Sequence, residues 1–287
     1  MALGGVLAAA AGMAWAQDMG WPRGGQCASE AIEASPLLVD LDGDGRLEIV
    51  VPNLDDRLYV YDHAGRARTG WPVPLGFGDG SIASAAAGDV DGDGAPELVV
   101  AGDDLLAQNA TVRVFETNGT LRASIGLNAA ASAKATPCLV DYYRYTGPSE
   151  GNRHAALEIV LRDGDGLLHV LYWNGAGLTD RGDGTTTYQT VTDLSLKDRY
   201  GAQPITSSAA AWGDGAGQTT IVVGSTDGKV YRWSVVSTPA TNWSITKETP
   251  FSVSGAVKFL GSPALTDLNG DALREVIAGG NNGRVYA

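Results

Sequence analysis

Asp40-Leu41-Asp42-Gly43-Asp44-Gly45-Arg46-Leu47-Glu48 runs straight into the apolar stretch Ile49-Val50-Val51. Acids at positions 1, 3, 5 and 9, with glycines between them, let the backbone fold back until all four carboxylates face one point. Like charges so close repel, so the arrangement asks for a hard divalent cation with oxygen ligands. Calcium fits, because it accepts several oxygens in flexible geometry, and the carbonyl of Arg46 at position 7 and water can complete the shell; magnesium demands a stricter octahedron. An EF-hand loop would need Glu at position 12, where this chain has Val51.

The segment recurs as Asp89-Val90-Asp91-Gly92-Asp93-Gly94-Ala95-Pro96-Glu97 and as Asp267-Leu268-Asn269-Gly270-Asp271-Ala272-Leu273-Arg274-Glu275, each leading into a short β-type run. One Asp/Gly loop is commonly a solvated turn; three with the same ninth-position Glu are not. The expected ligands are Asp40, Asp42, Asp44, Arg46 and Glu48, then Asp89, Asp91, Asp93, Ala95 and Glu97, then Asp267, Asn269, Asp271, Leu273 and Glu275. Arg46, Ala95 and Leu273 would act through their carbonyls. About three structural Ca²⁺ ions are expected, one per loop.

Aligning the loops exposes a repeat of about fifty residues, with units starting at 40, 89, 141, 212 and 267. Each unit opens on a short strand of small residues introduced by Ser or Thr: Ser35, Ser84, Thr136, Ser207-Ser208 and Ser262. The Asp loop and an apolar strand follow. Next comes a third strand alternating with period 2, as in Leu58-Tyr59-Val60-Tyr61 and Val230-Tyr231-Arg232-Trp233. A variable outer strand ends the unit, containing Trp71-Pro72 in the first and Trp243-Ser244-Ile245 in the fourth. Four antiparallel strands repeated at this spacing describe the blade of an all-β β-propeller, with five blades visible. The third unit has Tyr142 to Leu157 wedged between Asp141 and Glu158, and the fourth offers Trp212, Asp214, Ala216 and Thr220, so neither is expected to hold a metal.

Phe77-Gly78-Asp79-Gly80-Ser81-Ile82-Ala83-Ser84-Ala85-Ala86-Ala87-Gly88, followed by the second Asp loop and Val99-Val100-Ala101-Gly102, resembles the FG-GAP repeat and the related VCBS repeat of integrin-α-type and secreted bacterial propellers. The resemblance covers residues 27–287, and it implies a calcium-stabilised scaffold used for recognition, without naming a ligand.

The chain has 287 residues, is 44% hydrophobic and carries a net charge of −13, enough to bury a full core and opposed to binding a phosphate backbone. Eleven of its 33 acids lie in the three loops, so much of the acidity belongs to sites. Residues 1–16 read as a signal-peptide h-region ending Ala14-Trp15-Ala16, too short to span a membrane; residues 17–287 form the propeller. Secretion to an extracellular or cell-surface location follows. Cys138 is expected as a buried free thiol, unbridged to Cys27. Met19-Gly20-Trp21-Pro22 matches Thr69-Gly70-Trp71-Pro72 and is expected to complete the last unit, closing a five-bladed ring; the alternative is part of a larger propeller.

His63, His154 and His169 show no metal-ligand spacing, and no hydrolase elbow, zincin helix or phosphate loop occurs. Arg181-Gly182-Asp183 is an adhesion-type tripeptide, and Asn109, Asn118 and Asn242 stand in glycosylation sequons. The third-strand aromatics are expected to pack between blades. The leading reading is a non-catalytic recognition or adhesion module for protein or carbohydrate, either a monomer or part of a larger chain. The alternative is a polysaccharide-cleaving propeller resembling rhamnogalacturonan lyases.

Overall fold

The computed structural model describes residues 31–78, 83–106, 109–127, 135–141, 156–162, 168–180, 207–214, 218–237, 243–255, 257–271 and 273–287. Residues 1–30, the Arg181-Gly182-Asp183 tripeptide, His154 and Asn242 lie outside them, and so do the expected leader, Cys27 and the expected closing segment.

Antiparallel sheets follow one another along the chain. The first runs β1 (Leu37–Val39), β2 (Glu48–Asn53), β3 (Arg57–Tyr61) and β4 (Val73–Pro74); the second β5 (Ala86–Gly88), β6 (Glu97–Asp104), β7 (Asn109–Phe115) and β8 (Leu121–Gly126). The third contains β9 (Cys138–Val140), β10 (Glu158–Arg162), β11 (Leu168–Trp173) and β12 (Leu178–Asp180). The fourth contains β13 (Ala210–Gly213), β14 (Gln218–Gly224), β15 (Lys229–Ser237) and β16 (Trp243–Lys247), with β17 (Phe251–Ser252) also on β15. The last contains β18 (Ala264–Thr266), β19 (Glu275–Gly279) and β20 (Val285–Tyr286).

The core lies in the seams between successive sheets. Period-2 alternation sends Leu98 and Val100 of β6 toward Val50, Leu58 and Val60 of the first sheet, while Val99 and Ala101 pack with Ile159 and Leu161 of the third. Val160 and Val170 in turn meet Ile221, Tyr231 and Trp233, and Val222 meets Phe259 and Ala278. The second strands of the first four sheets are therefore largely buried on both faces, which is why they contain apolar runs such as Ile49-Val50-Val51 and Leu98-Val99-Val100. Among the described residues no core cluster joins the last sheet to the first.

The Ser/Thr positions lie just ahead of the first strands, not inside them as the pattern suggested. The reason is lateral bonding: Ser35 N–H donates to the Ser84 hydroxyl (3.0 Å), Ser84 N–H to Thr136 (3.2 Å) and Thr136 N–H to Ser208 (2.9 Å), linking four sheets. The expected outer strand at Trp71 starts two residues later; Trp71 is buried instead, and its indole donates to the Thr117 carbonyl of the second sheet (3.1 Å). Phe77 packs against Gly102, where a Cβ would collide with its ring. Arg113 of β7 donates to the Leu75 and Gly76 carbonyls and lies over the Phe77 ring, so the Phe-Gly corner is held by the sheet it precedes. A further repeated tie joins the β2–β3 type of turn to the third strand: Tyr59 donates to Asp55, Tyr231 donates to Asp227, and Tyr286 accepts from Asn282. Cys138 is free and partly buried.

Candidate metal centre

Each Asp loop joins the first strand of its sheet to the second, and its shape is written in its own hydrogen bonds. Asp40 accepts from Gly43 N–H (2.8 Å) and Gly45 N–H (2.9 Å), Asp42 from Asp44 N–H, and Asp44 from Arg46 N–H. The second loop repeats the set: Asp89 with Gly92 and Gly94, Asp91 with Asp93, Asp93 with Ala95. Gly45 (φ 82°) and Gly94 (φ 92°) are needed for their left-handed backbone, since a Cβ at either would meet nothing.

The ninth-position Glu closes the loop from the strand. Glu48 Oε2 accepts from Leu41 N–H (2.9 Å) and Glu97 Oε2 from Val90 N–H (2.8 Å). Carboxylate oxygens of Asp40, Asp42 and Glu48 thereby lie within 4.8 Å of one another, as do those of Asp89, Asp91 and Glu97. Asp44 and Asp93, expected as ligands, are not in these groups; their carboxylates brace the turn at position 7. The two clusters are all-oxygen and anionic, a donor set suited to a hard cation.

Glu97 is fully buried, and its Oε1 has no hydrogen-bond partner. A buried unpaired carboxylate oxygen is costly. Burial pushes the Glu97 carboxyl up to about 7; the Val90 N–H opposes this, and the charges of Asp91, Asp93 and Asp89 add to it. A divalent cation would satisfy that oxygen and reverse the shift.

The third loop keeps the turn and differs in its chemistry at position 3. Its backbone turn is kept, with Gly270 N–H on Asp267 (2.6 Å), Asp271 N–H on Asn269 and Leu273 N–H on Asp271, and Glu275 accepts from Leu268 N–H (2.7 Å). Position 3, which supplies Asp42 and Asp91 to the first two groups, is here Asn269. The amide of Asn269 donates to Asp271 (3.1 Å) and Glu275 (3.3 Å), placing N–H where an acid would put an oxygen.

Two arginines enter the site that the Asp pattern did not reveal. Arg68 lies 3.1 Å from Asp42 Oδ2 and 3.0 Å from Glu48 Oε2; Arg122 Nε donates to Asp91 Oδ2 (2.8 Å). Both stand three residues after a turn glycine, Gly65 or Gly119, so aligning the third-strand turns as well as the Asp loops would have found them.

Residues 40–100, the first Asp loop through the strand after the second, match the model of the FG-GAP-like repeat family. No curated protein matches the sequence. A lectin from Burkholderia pseudomallei is similar in structure over 88% of this chain and 65% of its own, with a TM-score of 0.52 at 18% identity. Sqt1 of Saccharomyces cerevisiae is similar over 87% of this chain and 57% of its own, with a TM-score of 0.50 at 14% identity. The chain thus spans less than two thirds of either protein, and the likeness concerns the fold. Residues 40–100 thus carry an FG-GAP-like repeat, and with these propeller neighbours and its consecutive antiparallel sheets the chain has a β-propeller type of architecture.

Proposed function

We propose that this chain is a secreted recognition module whose blades are stabilised by calcium at the Asp loops, with protein or carbohydrate as its ligand. The observation that carries the cation is the second loop, where carboxylate oxygens of Asp89, Asp91 and Glu97 lie within 4.8 Å of one another and the fully buried Glu97 keeps an Oε1 that no protein group satisfies. Asp89, Asp91 and Glu97 would hold the ion there, and Asp40, Asp42 and Glu48 in the first loop. The bound ion would neutralise the converging charge and tie the first strand of a sheet to its second. Its role is structural: the loops join strands within a blade, and their carboxylates also brace those turns. Secretion is part of the proposal because sites of this extracellular type, with dissociation constants on the order of 0.1–1 mM, fill only where calcium is millimolar.

The test is metal analysis after equilibrium dialysis against calcium, with thermal melts in calcium and in chelator. Bound calcium and a higher melting temperature in calcium support the proposal; no bound calcium sinks it. A glycan array probed with the calcium-loaded protein tests the ligand class, and the appearance of unsaturated sugar products in the same assay would reveal polysaccharide cleavage instead.

A further inference from the structure

The two gathered loops share a backbone but not a counter-charge. In both, the chain leaves the third strand through the same turn, with Asp62 N–H bonded to Arg66 O and Gly65 N–H to Asp62 O in one, and Glu116 N–H to Thr120 O and Gly119 N–H to Glu116 O in the other. The arginine three residues after each glycine meets a different neighbourhood. In the first sheet Asp62 is taken by Arg66 (2.7 Å), so Arg68 turns into the Asp loop and spans Asp42 and Glu48, two of its three gathered carboxylates. Its Nη1 sits 3.0 Å from Glu48 without the alignment of a hydrogen bond. In the second sheet position 66 is matched by Thr120, which carries no charge, so Glu116 is left for Arg122 (3.2 Å). Arg122 is also held over the Trp173 ring of the third sheet, 4.5 Å away, and touches the loop only at Asp91. Glu97 Oε1 stays unpaired.

We infer that Arg68 is a built-in competitor for the cation of the first loop, so that the two loops fill in order, the second at lower calcium than the first. A cation entering the first loop must displace a guanidinium from Asp42 and Glu48 together. One entering the second displaces Arg122 from Asp91 alone, and Arg122 keeps Glu116 and Trp173 as partners. This inference rests on the proposed cation site, which it deepens by assigning its filling order.

Calcium titration calorimetry on the whole chain, alongside the Arg68→Met and Glu97→Gln variants, tests it. Two affinity classes are expected in the unaltered protein, with the tighter one lost in Glu97→Gln. Arg68→Met should tighten the weaker class by roughly three- to tenfold, the scale of one or two partly exposed ion pairs, and leave the tighter class in place. Melting curves provide a second readout: without calcium Arg68→Met should melt lower than the parent, and saturating calcium should narrow that gap. An unchanged or weakened first site in Arg68→Met, or a single affinity class in the unaltered protein, would overturn the ordering while leaving the cation site standing. No calcium uptake by any form would overturn both.

Discussion

The amide N–H of Ser84 donates to the hydroxyl of Thr136, 3.2 Å away across the gap between the second and third sheets. It is the middle link of a relay from Ser35 to Ser208, in which each amide uses the hydroxyl of the next sheet. Thr136→Val keeps the shape but removes the acceptor and leaves the Ser84 N–H unpaired. Thr136→Val should cost about 1–2 kcal/mol, and Thr136→Ser should restore most of it; urea midpoints of the two variants and the parent measure this.

Gly102 is expected to be intolerant of a methyl group because the Phe77 ring occupies the space a Cβ needs. Gly102→Ala should therefore cost about 1–3 kcal/mol, the range for overpacking a core. Recovery in the double variant Gly102→Ala, Phe77→Leu would identify the clash as the cause, whereas equal losses in both would point elsewhere.

The third loop offers a gain-of-affinity test. The Asn269 amide now donates to Asp271 and Glu275. Position 3 holds Asp42 and Asp91 in the first two loops but Asn269 in the third, so calcium is expected to bind more weakly at the third. Asn269→Asp should tighten that binding, read by calcium titration calorimetry; an unchanged titration refutes the role given to Asn269.

Calcium stabilisation should depend on pH through Glu97. Burial pushes its folded carboxyl up to about 7 from an ordinary 4.5, so between those limits the metal-free folded state binds more protons than the unfolded chain. This group's contribution is fully present below the unfolded pKa and is lost as pH rises through the folded one. A bound cation needs the ionised form, and binding below pH 7 must release a proton. The rise in melting temperature on adding calcium should thus be larger near pH 7.5 than near pH 5.5, and Glu97→Gln should flatten that difference.

Much of this was legible in the chain itself. The Asp loops at 40, 89 and 267, the period-2 strands and the glycines at left-handed positions are local features, set by neighbours a few residues apart, so they were readable as a repeat and from it as blades. The turn made by Gly43 and Gly45 follows from Asp40 whatever else the chain does. Tertiary structure alone decided how the loops differ. Whether Glu97 keeps an unpaired oxygen while Glu48 meets a guanidinium depends on Arg68 and Arg122, twenty or more residues from the loops they enter, and on whether a nearby acid is already engaged by Arg66. The Ser/Thr relay is likewise invisible in one unit, because each hydroxyl acts on the amide of another sheet about fifty or more residues away. Local pattern specifies backbone shape, since its hydrogen bonds close over a few residues; pairing of charges and hydroxyls between units needs the sheets packed side by side.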